Sequence, residues 1–316
     1  MSERLTEWLT QQRLETILDR ARSCRVGVVG DLALDGYWTA DMTRALLSRE
    51  TPRFPRPVVA ERYAPGAGGN VAQNLSALAV RQVVVFSVLG DDWRGTILQQ
   101  ALADRAITVD RLVVSRDRST STYIKPILAG YESQQEDARL DFENADPLAP
   151  ELESALITSL ETAIEDLDAL LVADQLERNG VVTDRVREAL IELAARHPNK
   201  VFVADSRSRI DRFQNMVVKP NRAEASAAAQ QHRDRGAAQG RGPNDAIVDA
   251  ARELAAQTGR AVCITLSAQG ALVRDEGLTA RVPAAPVTPP LDPVGAGDTF
   301  GAALATALAC GATPVE

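Results

Sequence analysis

The residues best placed to do chemistry lie in the stretch from Leu291 to Phe300. Its sequence is Leu-Asp-Pro-Val-Gly-Ala-Gly-Asp-Thr-Phe, and small residues and helix formers follow it. Gly295 and Gly297 permit a sharp turn that brings the backbone close to a ligand. A helix that begins after such a turn offers free N–H groups and a positive dipole end, which together bind an anion. Asp298 could then accept a hydroxyl proton while a phosphoryl group is transferred.

Two other interpretations of this stretch remain open on spacing alone. A Gly-x-Gly pair before a helix is often a tight turn without catalytic function. A dinucleotide-binding fingerprint would require a following strand that ends in an acidic residue roughly twenty positions further on. No such strand follows within the 316 residues, so we expect no dinucleotide site here.

The composition is that of a globular α/β protein. The chain is 45% hydrophobic and 25% charged, with a net charge of −8. Its length suits one large α/β domain or two small ones. The acidic balance, without a cluster of Lys or Arg, argues against nucleic-acid binding. A phosphorylated ligand would therefore be held by a few local basic groups.

The cysteines and the hydropathy pattern predict a cytoplasmic protein with no membrane partner. Cys24, Cys263 and Cys310 are widely spaced and form no metal-binding pattern, which is typical of a reducing compartment. Residues 1–24 are too charged for a signal peptide, and no apolar run reaches the roughly 20 residues of a membrane span.

Helical and strand patterns alternate from residue 150 onward. Helices are predicted near 150–166, 181–197 and 244–258, and strands at 169–173, 201–204, 216–218, 261–266 and 271–274. This alternation predicts a mostly parallel sheet with helices on both faces. Residues 225–244 are rich in Ala, Gln, Gly and Arg without a sustained apolar stripe, so we predict a mobile surface loop there.

Polar residues follow several of the predicted strands and glycine turns. Asp35 comes shortly after the buried strand 25–30, where a carboxylate can face the ligand crevice of an open α/β sheet; a surface turn is the alternative. Gly68 and Gly69 precede Asn70, which could cap a helix, and Asn74 lies one turn further along the same face.

Acidic and amide side chains in the second half suggest a metal. Asn221 and Glu224 share a helical face, and oxygen ligands acting through water suit Mg²⁺, although a capping box explains the pair equally well. Asp205 follows another strand and could position metal-bound water. The chain contains no Gly-x-x-x-x-Gly-Lys-[Ser/Thr] sequence, so any ATP would be bound without a P-loop.

Taken together, these motifs resemble those of the ribokinase-like (PfkB) sugar kinases. The run that begins at Asp292 resembles the C-terminal signature of that family, and the run that begins at Gly68 resembles its N-terminal signature. The resemblance covers roughly residues 25–312. It implies a three-layer α/β/α fold with a mostly parallel sheet, in a single domain over residues 1–316. It also implies a small β lid formed by segments near 37–65 and 112–145.

The resemblance also implies a role for each motif. Asp298 would be the catalytic base, and Gly295, Ala296 and Gly297 would form an anion hole. The sugar would be held by Asp35, Gly68, Gly69, Asn70 and Asn74. Mg²⁺ and the nucleotide phosphates would involve Asn221 and Glu224, and ATP would also contact Thr265, Ser267 and Gly270. In the lid, Lys125 and Arg139 are candidates for binding a sugar phosphate, or simply solvated charges.

Within the family, the chain most resembles the kinase half of the heptose 7-phosphate kinase/adenylyltransferases. The resemblance rests on Leu34-Asp35-x-Tyr37-Trp38 and on Arg139-Leu-Asp-Phe-Glu143. It implies ATP-dependent phosphorylation of D-glycero-D-manno-heptose 7-phosphate at its anomeric hydroxyl, on the way to ADP-heptose. The sequence departs from that group in having Gly69 where Ala is common.

Several alternatives remain open at this point. The substrate could instead be ribose, fructose or a nucleoside, or the chain could be a non-catalytic module that binds a sugar phosphate or nucleotide. The lid aromatics could close the site or form a homodimer. Residues 313–316 have the pattern of a helix start, so we expect the chain to be truncated there, with a C-terminal continuation or an adenylyltransferase domain.

Overall fold

A computed structural model describes residues 9–233, 243–288 and 292–316. The helices are α1 Gln11–Ala21, α2 Gly68–Ala77, α3 Trp93–Ala103, α4 Pro150–Ala163, α5 Asp184–Arg196, α6 Arg222–Arg233, α7 Pro243–Thr258 and α8 Ala296–Ala309. The strands are β1 Arg25–Gly30, β2 Leu32–Asp41, β3 Val58–Ala67, β4 Gln82–Phe86, β5 Val88–Gly90, β6 Ile107–Thr108, β7 Val113–Ser115, β8 Thr122–Ala129, β9 Gln134–Glu136, β10 Leu140–Phe142, β11 Ala169–Asp174, β12 Val201–Ser206, β13 Val217–Val218, β14 Val262–Thr265, β15 Ala271–Asp275 and β16 Leu278–Val282.

The largest sheet in the described residues is the mostly parallel sheet that the sequence predicts. Its order is β16-β15-β14-β13-β12-β11-β1-β4-β6, and every neighbouring pair from β14 to β6 is parallel. The strands β15 and β16 extend the edge by antiparallel pairing. The central strand β11 is buried along its whole length, as expected for a sheet covered on both faces.

Helices cover the two faces of this sheet and bury two apolar clusters. On one face α2 and α8 pack against each other and against β1, β11 and β12, while α1 packs on α8. On the other face α4 pairs with α5, and α6 pairs with α7. The clusters on the two faces are centred on residues such as Leu171 and Leu75, and Leu170 and Leu190, respectively. The predicted α/β/α layering is therefore confirmed.

A second, smaller sheet, the lid sheet, contains strands from both segments predicted to form a lid. It has the order β10-β8-β2-β3, with β9 also paired to β8. Only Asp31 separates β1 of the large sheet from β2 of the lid sheet, and α2 begins directly after β3. Gly30 has a φ of +133°, and a Cβ there would lie 2.2 Å from the carbonyl oxygen of Ala173, so a glycine is needed where the chain changes sheets.

Residues 225–233 correct the prediction of a mobile loop, because they belong to α6. Ala225, Ala228 and Ala229 are buried at helical spacing against the large sheet. Small alanine side chains can form a packed helical face without the large apolar residues that mark an obvious stripe. Of the rest of the predicted loop, residues 243–244 belong to α7, and residues 234–242 lie outside the described residues, as do residues 1–8.

The other predicted elements of the second half are confirmed within one to three residues at their ends. The strand β16 has no counterpart among the predictions. None of the helices in residues 9–233, 243–288 and 292–316 is both long and apolar enough to cross a membrane.

Candidate active site

A cavity of about 480 Å³ lies between the lid sheet and the carboxyl ends of β11 and β12. Loops at this edge of an open α/β sheet are the usual place for a ligand. The following residues line the cavity: Asp35, Ala67, Asn70, Tyr123, Lys125, Arg139, Glu143, Gln175, Leu176, Glu177, Arg178, Arg207, Val294, Gly295 and Asp298. We call this cavity the sugar side of the site, after the ligand that the sequence predicts for Asp35 and Asn70.

The glycine turn before α8 has the geometry of an anion site, with one exception. Gly295 adopts the left-handed conformation, with a φ of 80°, and Ala296 is the first helical residue. Neither the N–H of Gly295 nor that of Gly297 donates a hydrogen bond to another described residue. The N–H of Ala296 differs from the prediction, because it donates to the carbonyl of Pro293 at 3.2 Å. Two of the three predicted donors are therefore available to an anion.

Asp298 lies in the first turn of α8 and faces the cavity. Its Oδ2 accepts a hydrogen bond from Nδ2 of Asn70 at 2.6 Å. Burial raises the pKa of Asp298 above the ordinary aspartate value, while the bond from Asn70 and the charges of Lys219 and Arg207 act in the opposite direction. A carboxylate with a raised pKa is a stronger base than an exposed one, which suits proton abstraction from a hydroxyl.

A buried ion pair lies directly behind the glycine turn. Nζ of Lys219 lies 3.0 Å from Oδ2 of Asp205, and both residues are buried. Nζ also lies 3.6 Å from the position that a Cβ on Gly297 would occupy. Burial raises the pKa of Asp205, and the charge of Lys219 lowers it. The pair thus places a cation beside the N-terminus of α8.

Asp35 projects from β2 of the lid sheet into the cavity, on the same face of that sheet as Lys125 of the neighbouring strand β8. Burial raises the pKa of its carboxyl group, while the nearby charges of Lys125 and Arg139 lower it. A Cβ on Gly66 would lie 2.7 Å from Oδ1 of Asp35, so that glycine leaves the space that the carboxylate occupies. Arg139 also binds Asp141 through Nε and Nη2, at 2.6 Å each.

The residues of the second glycine turn separate into two groups. Asn70 lines the cavity and bonds to Asp298, so it does not cap α2. Asn74 lies away from the cavity: its Nδ2 donates to the carbonyl of Asn70 at 2.9 Å, and its Oδ1 accepts from Oγ1 of Thr299 at 3.3 Å. In this structure Asn74 therefore links α2 to α8.

Gly68 and Gly69 allow close backbone packing and do not line the cavity. A Cβ on Gly68 would lie 2.8 Å from the carbonyl oxygen of Asp31, and one on Gly69 would lie 2.8 Å from Cβ of Pro65. Gly68 lets α2 begin against the carbonyl of Asp31, and Gly69 lets it begin close to Pro65 of β3.

The predicted nucleotide residues lie together outside the sugar cavity. Thr265 forms an isolated parallel bridge with Asn221, and the segment 265–270 therefore runs beside the start of α6. Ser267 and Gly270 both have positive φ angles, 53° and 85°, in the turn between β14 and β15. We call Asn221, Glu224, the segment 265–270 and the nearby pair Lys219–Asp205 the nucleotide side of the site, after the ligand that the sequence predicts for it.

Asn221 and Glu224 form the capping box that the sequence left open as an alternative. Oδ1 of Asn221 accepts from the N–H of Glu224 at 2.9 Å, and Oε2 of Glu224 accepts from the N–H of Asn221 at 2.7 Å. Burial raises the pKa of Glu224, as does the nearby charge of Asp205. The capping box and a contribution to ligand binding do not exclude each other.

The acidic residues of this side fit Mg²⁺ held largely by phosphates and water. Glu224 and Asp205 supply two carboxylates close enough to affect each other. No group of three or more His, Cys, Asp or Glu side chains suited to a metal occurs in the part of the chain that the structure describes. Mg²⁺ commonly uses one or two carboxylates together with substrate phosphates and waters, and this arrangement matches the available residues.

Sequence reasoning missed several residues that the fold brings to the site, among them Lys219, Arg207 and Gln175. Lys219 directly follows a predicted strand and precedes Asn221 by two positions, and this position could have indicated that it lies near the site. Arg207 lines the cavity directly after β12, and its Nε donates to Oε1 of Gln175 at 3.1 Å. No motif marks Arg207 or Gln175, so only the meeting of β11 and β12 in the sheet reveals them.

The sequence matches the family described as "pfkB family carbohydrate kinase" over residues 43–316. Among curated relatives, it is 32% identical to the "Bifunctional protein HldE" of Bradyrhizobium diazoefficiens over 306 residues. That alignment covers 94% of this chain and 57% of the relative, so the chain spans little more than half the length of that protein.

Solved structures of sugar kinases share the fold. Phosphofructokinase-2 from Escherichia coli, in complex with fructose-6-phosphate, superposes with a TM-score of 0.63 at 21% identity, covering 92% of this chain and 88% of that one. Ribokinase from Cryptococcus neoformans, in complex with ADP, gives 0.60 at 19% identity, covering 92% and 89%. The ribokinase-like fold predicted from the motifs is confirmed.

Proposed function

Because the chain belongs to the pfkB family of carbohydrate kinases, an ATP-dependent phosphotransferase family, we propose that it phosphorylates the anomeric hydroxyl of D-glycero-D-manno-heptose 7-phosphate. The observation that carries the proposal is one cavity in which a half-buried carboxylate at a helix N-terminus, Asp298, faces a second carboxylate, Asp35, and several cations. The product would serve the formation of ADP-heptose. The specific sugar rests on the heptose-kinase motifs around Asp35 and Arg139.

Asp298 acts as the general base in this proposal. Its carboxylate accepts the proton of the attacking hydroxyl as the sugar oxygen bonds to the γ-phosphorus of ATP and the bond to the ADP oxygen breaks. The bond from Asn70 holds Oδ2 of Asp298 in place and leaves the other oxygen for the hydroxyl. The raised pKa of Asp298 improves its match to a hydroxyl proton.

The N–H groups of Gly295 and Gly297 stabilise the charge on the phosphoryl group during transfer. They lie at the positive end of the α8 dipole and have no acceptor among the described residues. Lys219 adds a positive charge from behind the same turn, held in place by Asp205.

The sugar is held between Asp35 and Asn70 under the lid sheet. Asp35 is well placed to accept hydrogen bonds from sugar hydroxyls, because its carboxylate lines the cavity and is half-buried. Lys125 and Arg139 line the same cavity and suit the 7-phosphate. Closure of the lid would exclude water that could otherwise hydrolyse ATP.

ATP binds along the nucleotide side in this proposal, with Asn221, Glu224, Thr265, Ser267 and Gly270 beside its phosphates and base. Mg²⁺, when bound with ATP, would neutralise phosphate charge, and Glu224 and Asp205 are the residues that would hold it through water. The contribution of this chain is to orient the nucleotide beside the α8 turn.

A homodimer formed through the lid is part of the proposal. The two edges of the lid sheet, β3 and β10, carry exposed apolar residues: Val58, Val59, Leu140 and Phe142.

A cytoplasmic location is also part of the proposal. The three cysteines are free thiols, which supports it.

A substrate panel with coupled ADP detection tests the function. The panel holds D-glycero-D-manno-heptose 7-phosphate, fructose 6-phosphate, fructose, ribose and adenosine, and each is assayed with ATP and Mg²⁺ on the wild type and on Asp298→Asn. We expect the highest kcat/KM with the heptose phosphate and loss of that activity in the variant. A higher kcat/KM for another sugar would replace the heptose assignment. Ligand-induced thermal stabilisation without ADP formation would instead identify a binding module.

A further inference from the structure

Asp31 is a buried carboxylate that the proposed reaction does not use. It connects β1 to β2 and is 1% exposed. Its Oδ2 accepts from the N–H groups of Gln175 at 2.9 Å and Leu176 at 2.8 Å, and its Oδ1 accepts from the N–H of Val181 at 2.6 Å. One carboxylate therefore binds both ends of the segment 175–181, which we call the clasped segment.

The clasped segment forms one wall of the sugar cavity. Gln175, Leu176, Glu177 and Arg178 all line it. Gln175 also accepts the hydrogen bond from Nε of Arg207, so the segment orients a cation that faces Asp298. A displacement of its ends would move this wall.

The clasped segment also supports the root of the lid sheet. Nδ2 of Asn179 donates to the carbonyls of Asn144 and Ala145 at 2.8 Å each, just after β10. Asn144 in turn exchanges two hydrogen bonds of 2.9 Å with the backbone of Ser119, shortly before β8. Both chain segments at the base of the strands β8 to β10 therefore rest on the clasped segment.

The main chain of Asp31 reaches the opposite wall of the cavity. Its carbonyl accepts from the N–H of Gly68 at 2.8 Å, where α2 begins, and α2 carries Asn70. On the other side, a Cβ on Gly180 would lie 2.8 Å from Oδ1 of Asp31, so the segment packs directly against the carboxylate. Asp31 therefore connects the end of β1 to the start of α2 and to the clasped segment by hydrogen bonds.

We propose that Asp31 is a positioning residue for the sugar side: its carboxylate holds the clasped segment, and through it the cavity wall and the lid root, in the arrangement that binds the sugar. The expected effect on sugar binding rests on the proposed function. The three hydrogen bonds from the clasped segment to Asp31, which we call the clasp, do not depend on it. Asp31 touches neither the cavity nor the nucleotide side, so it acts through the residues it holds.

The ionised form of the Asp31 carboxyl group suits the three backbone N–H donors of the clasped segment. An ionised carboxylate offers acceptors on both oxygens, whereas an amide or a protonated acid places a donor on one side. Burial and the charge of Asp174 raise the pKa of Asp31 to about 6, although the three backbone hydrogen bonds lower it. The charged groups that face it are Asp174 and the guanidinium groups of Arg118 and Arg209. Because the three N–H bonds lower this pKa, protonation near pH 6 favours the state in which those bonds are lost while the carboxyl group stays buried, so the clasp should weaken in mild acid.

Asp31→Asn tests the clasp with a side chain of the same size. Hydrogen exchange followed by mass spectrometry, without any ligand, should show faster exchange in peptides covering 175–181 and little change in β4 or β12. The matched control is Asp168→Asn, because Oδ2 of Asp168 accepts from the N–H of Arg25 at the opposite end of β1. Equal exchange in both variants, or faster exchange throughout Asp31→Asn, would overturn the clasp.

Kinetics separate positioning from a general loss of structure. In Asp31→Asn we expect the KM for D-glycero-D-manno-heptose 7-phosphate to rise about tenfold, the loss of roughly one charged hydrogen bond, with the KM for ATP unchanged. An equal rise in both KM values, or a fall in kcat alone, contradicts positioning of the sugar side. If the wild type does not use this sugar, the proposed function fails and the exchange experiment still decides the clasp.

The wild type supplies a second measurement if the variant does not fold. After correction for intrinsic exchange, protection of 175–181 should fall selectively as the pH is lowered through about 6. Unchanged protection across that range would show that ionised Asp31 does not hold the segment.

Discussion

The sugar side and the nucleotide side are built differently, although both lie at the same edge of the large sheet. On the sugar side, Asp35 and Asp298 point into a cavity, and their oxygens remain largely available to a ligand. On the nucleotide side, Asn221 and Glu224 bond to each other, and Asp205 pairs with Lys219. The first region holds its functional groups apart, and the second holds them in pairs.

This difference has an electrostatic reason. On the sugar side, Asn70 holds the carboxylate of Asp298 by a hydrogen bond, and Gly66 leaves room for the carboxylate of Asp35. Both carboxylates can therefore face the cavity without a buried ion pair. In the proposed complex the nucleotide side receives phosphates, whose charge would repel free carboxylates. Asp205 is paired with Lys219, and Glu224 accepts from the N–H of Asn221, and both contacts would reduce that repulsion.

Replacing Asp298 by Asn gives the largest expected effect and tests the sugar side. Without the base, kcat should fall by a factor on the order of 10³, the usual range for a general base. Burial disfavours the charge of Asp298 in the folded state, so the neutral variant should unfold at the same or a higher temperature. Steady-state kinetics and thermal unfolding check both parts, and a near-normal kcat would remove Asp298 from this role.

Replacing Lys219 by Met tests the paired design of the nucleotide side. It leaves Asp205 buried without its cation, so the free energy of unfolding should fall by about 3–5 kcal/mol. The double variant Lys219→Met with Asp205→Asn is the matched control and should recover part of this loss. Denaturant unfolding measures both, and equal stability of the two variants would show that the buried pair is unimportant.

Asp35→Ala separates the two regions kinetically. We expect kcat/KM for the sugar to fall about a hundredfold, as for the loss of hydrogen bonds to a charged acceptor, while the KM for ATP stays the same. Asp91→Ala removes an exposed carboxylate outside the cavity and serves as the control. A larger change in the ATP constant than in the sugar constant would contradict the assignment of the sugar side.

Asn70→Ala should shift the pH dependence of kcat/KM. The hydrogen bond from Asn70 lowers the pKa of Asp298, so its loss raises that pKa. Since the base must be ionised, the acid limb of the profile should move to higher pH in the variant. An acid limb that stays in place, or moves to lower pH, would assign that limb to another group.

Glu224→Gln has the smallest expected effect and tests the nucleotide side. The variant keeps part of the capping box and loses one charge, so the KM for ATP should rise about fivefold, near the value of one hydrogen bond. The KM for the sugar should not change. Titration of Mg²⁺ at fixed ATP sharpens the result, because a metal role requires a higher Mg²⁺ concentration for half-maximal activity.

The chemistry-bearing motifs were predictable because each is local in the chain. The turn from Gly295 to Asp298 and the capping pair Asn221–Glu224 depend on residues one to three positions apart. Local spacing also predicted the alternating helices and strands of the second half. It failed for α6, whose buried face consists of small alanines such as Ala225 and Ala229.

The partners of those motifs were decided by contacts that span the chain. Asn70 and Asp298 are 228 positions apart, and nothing in either motif predicts their bond. Asp31 and Val181 meet because β1 and β11 are neighbours in the sheet, and Asn74 turns away from the cavity because α2 packs against α8.

The amino-acid sequence by itself determined the family, the glycine turn before α8 and its carboxylate, because glycines, prolines and helix formers act on the backbone within a few residues. Only the tertiary structure decided which side chains face the cavity and which pair with each other. The physical reason is that burial and charge depend on all neighbouring elements at once, and the order of strands in the sheet brings those elements together.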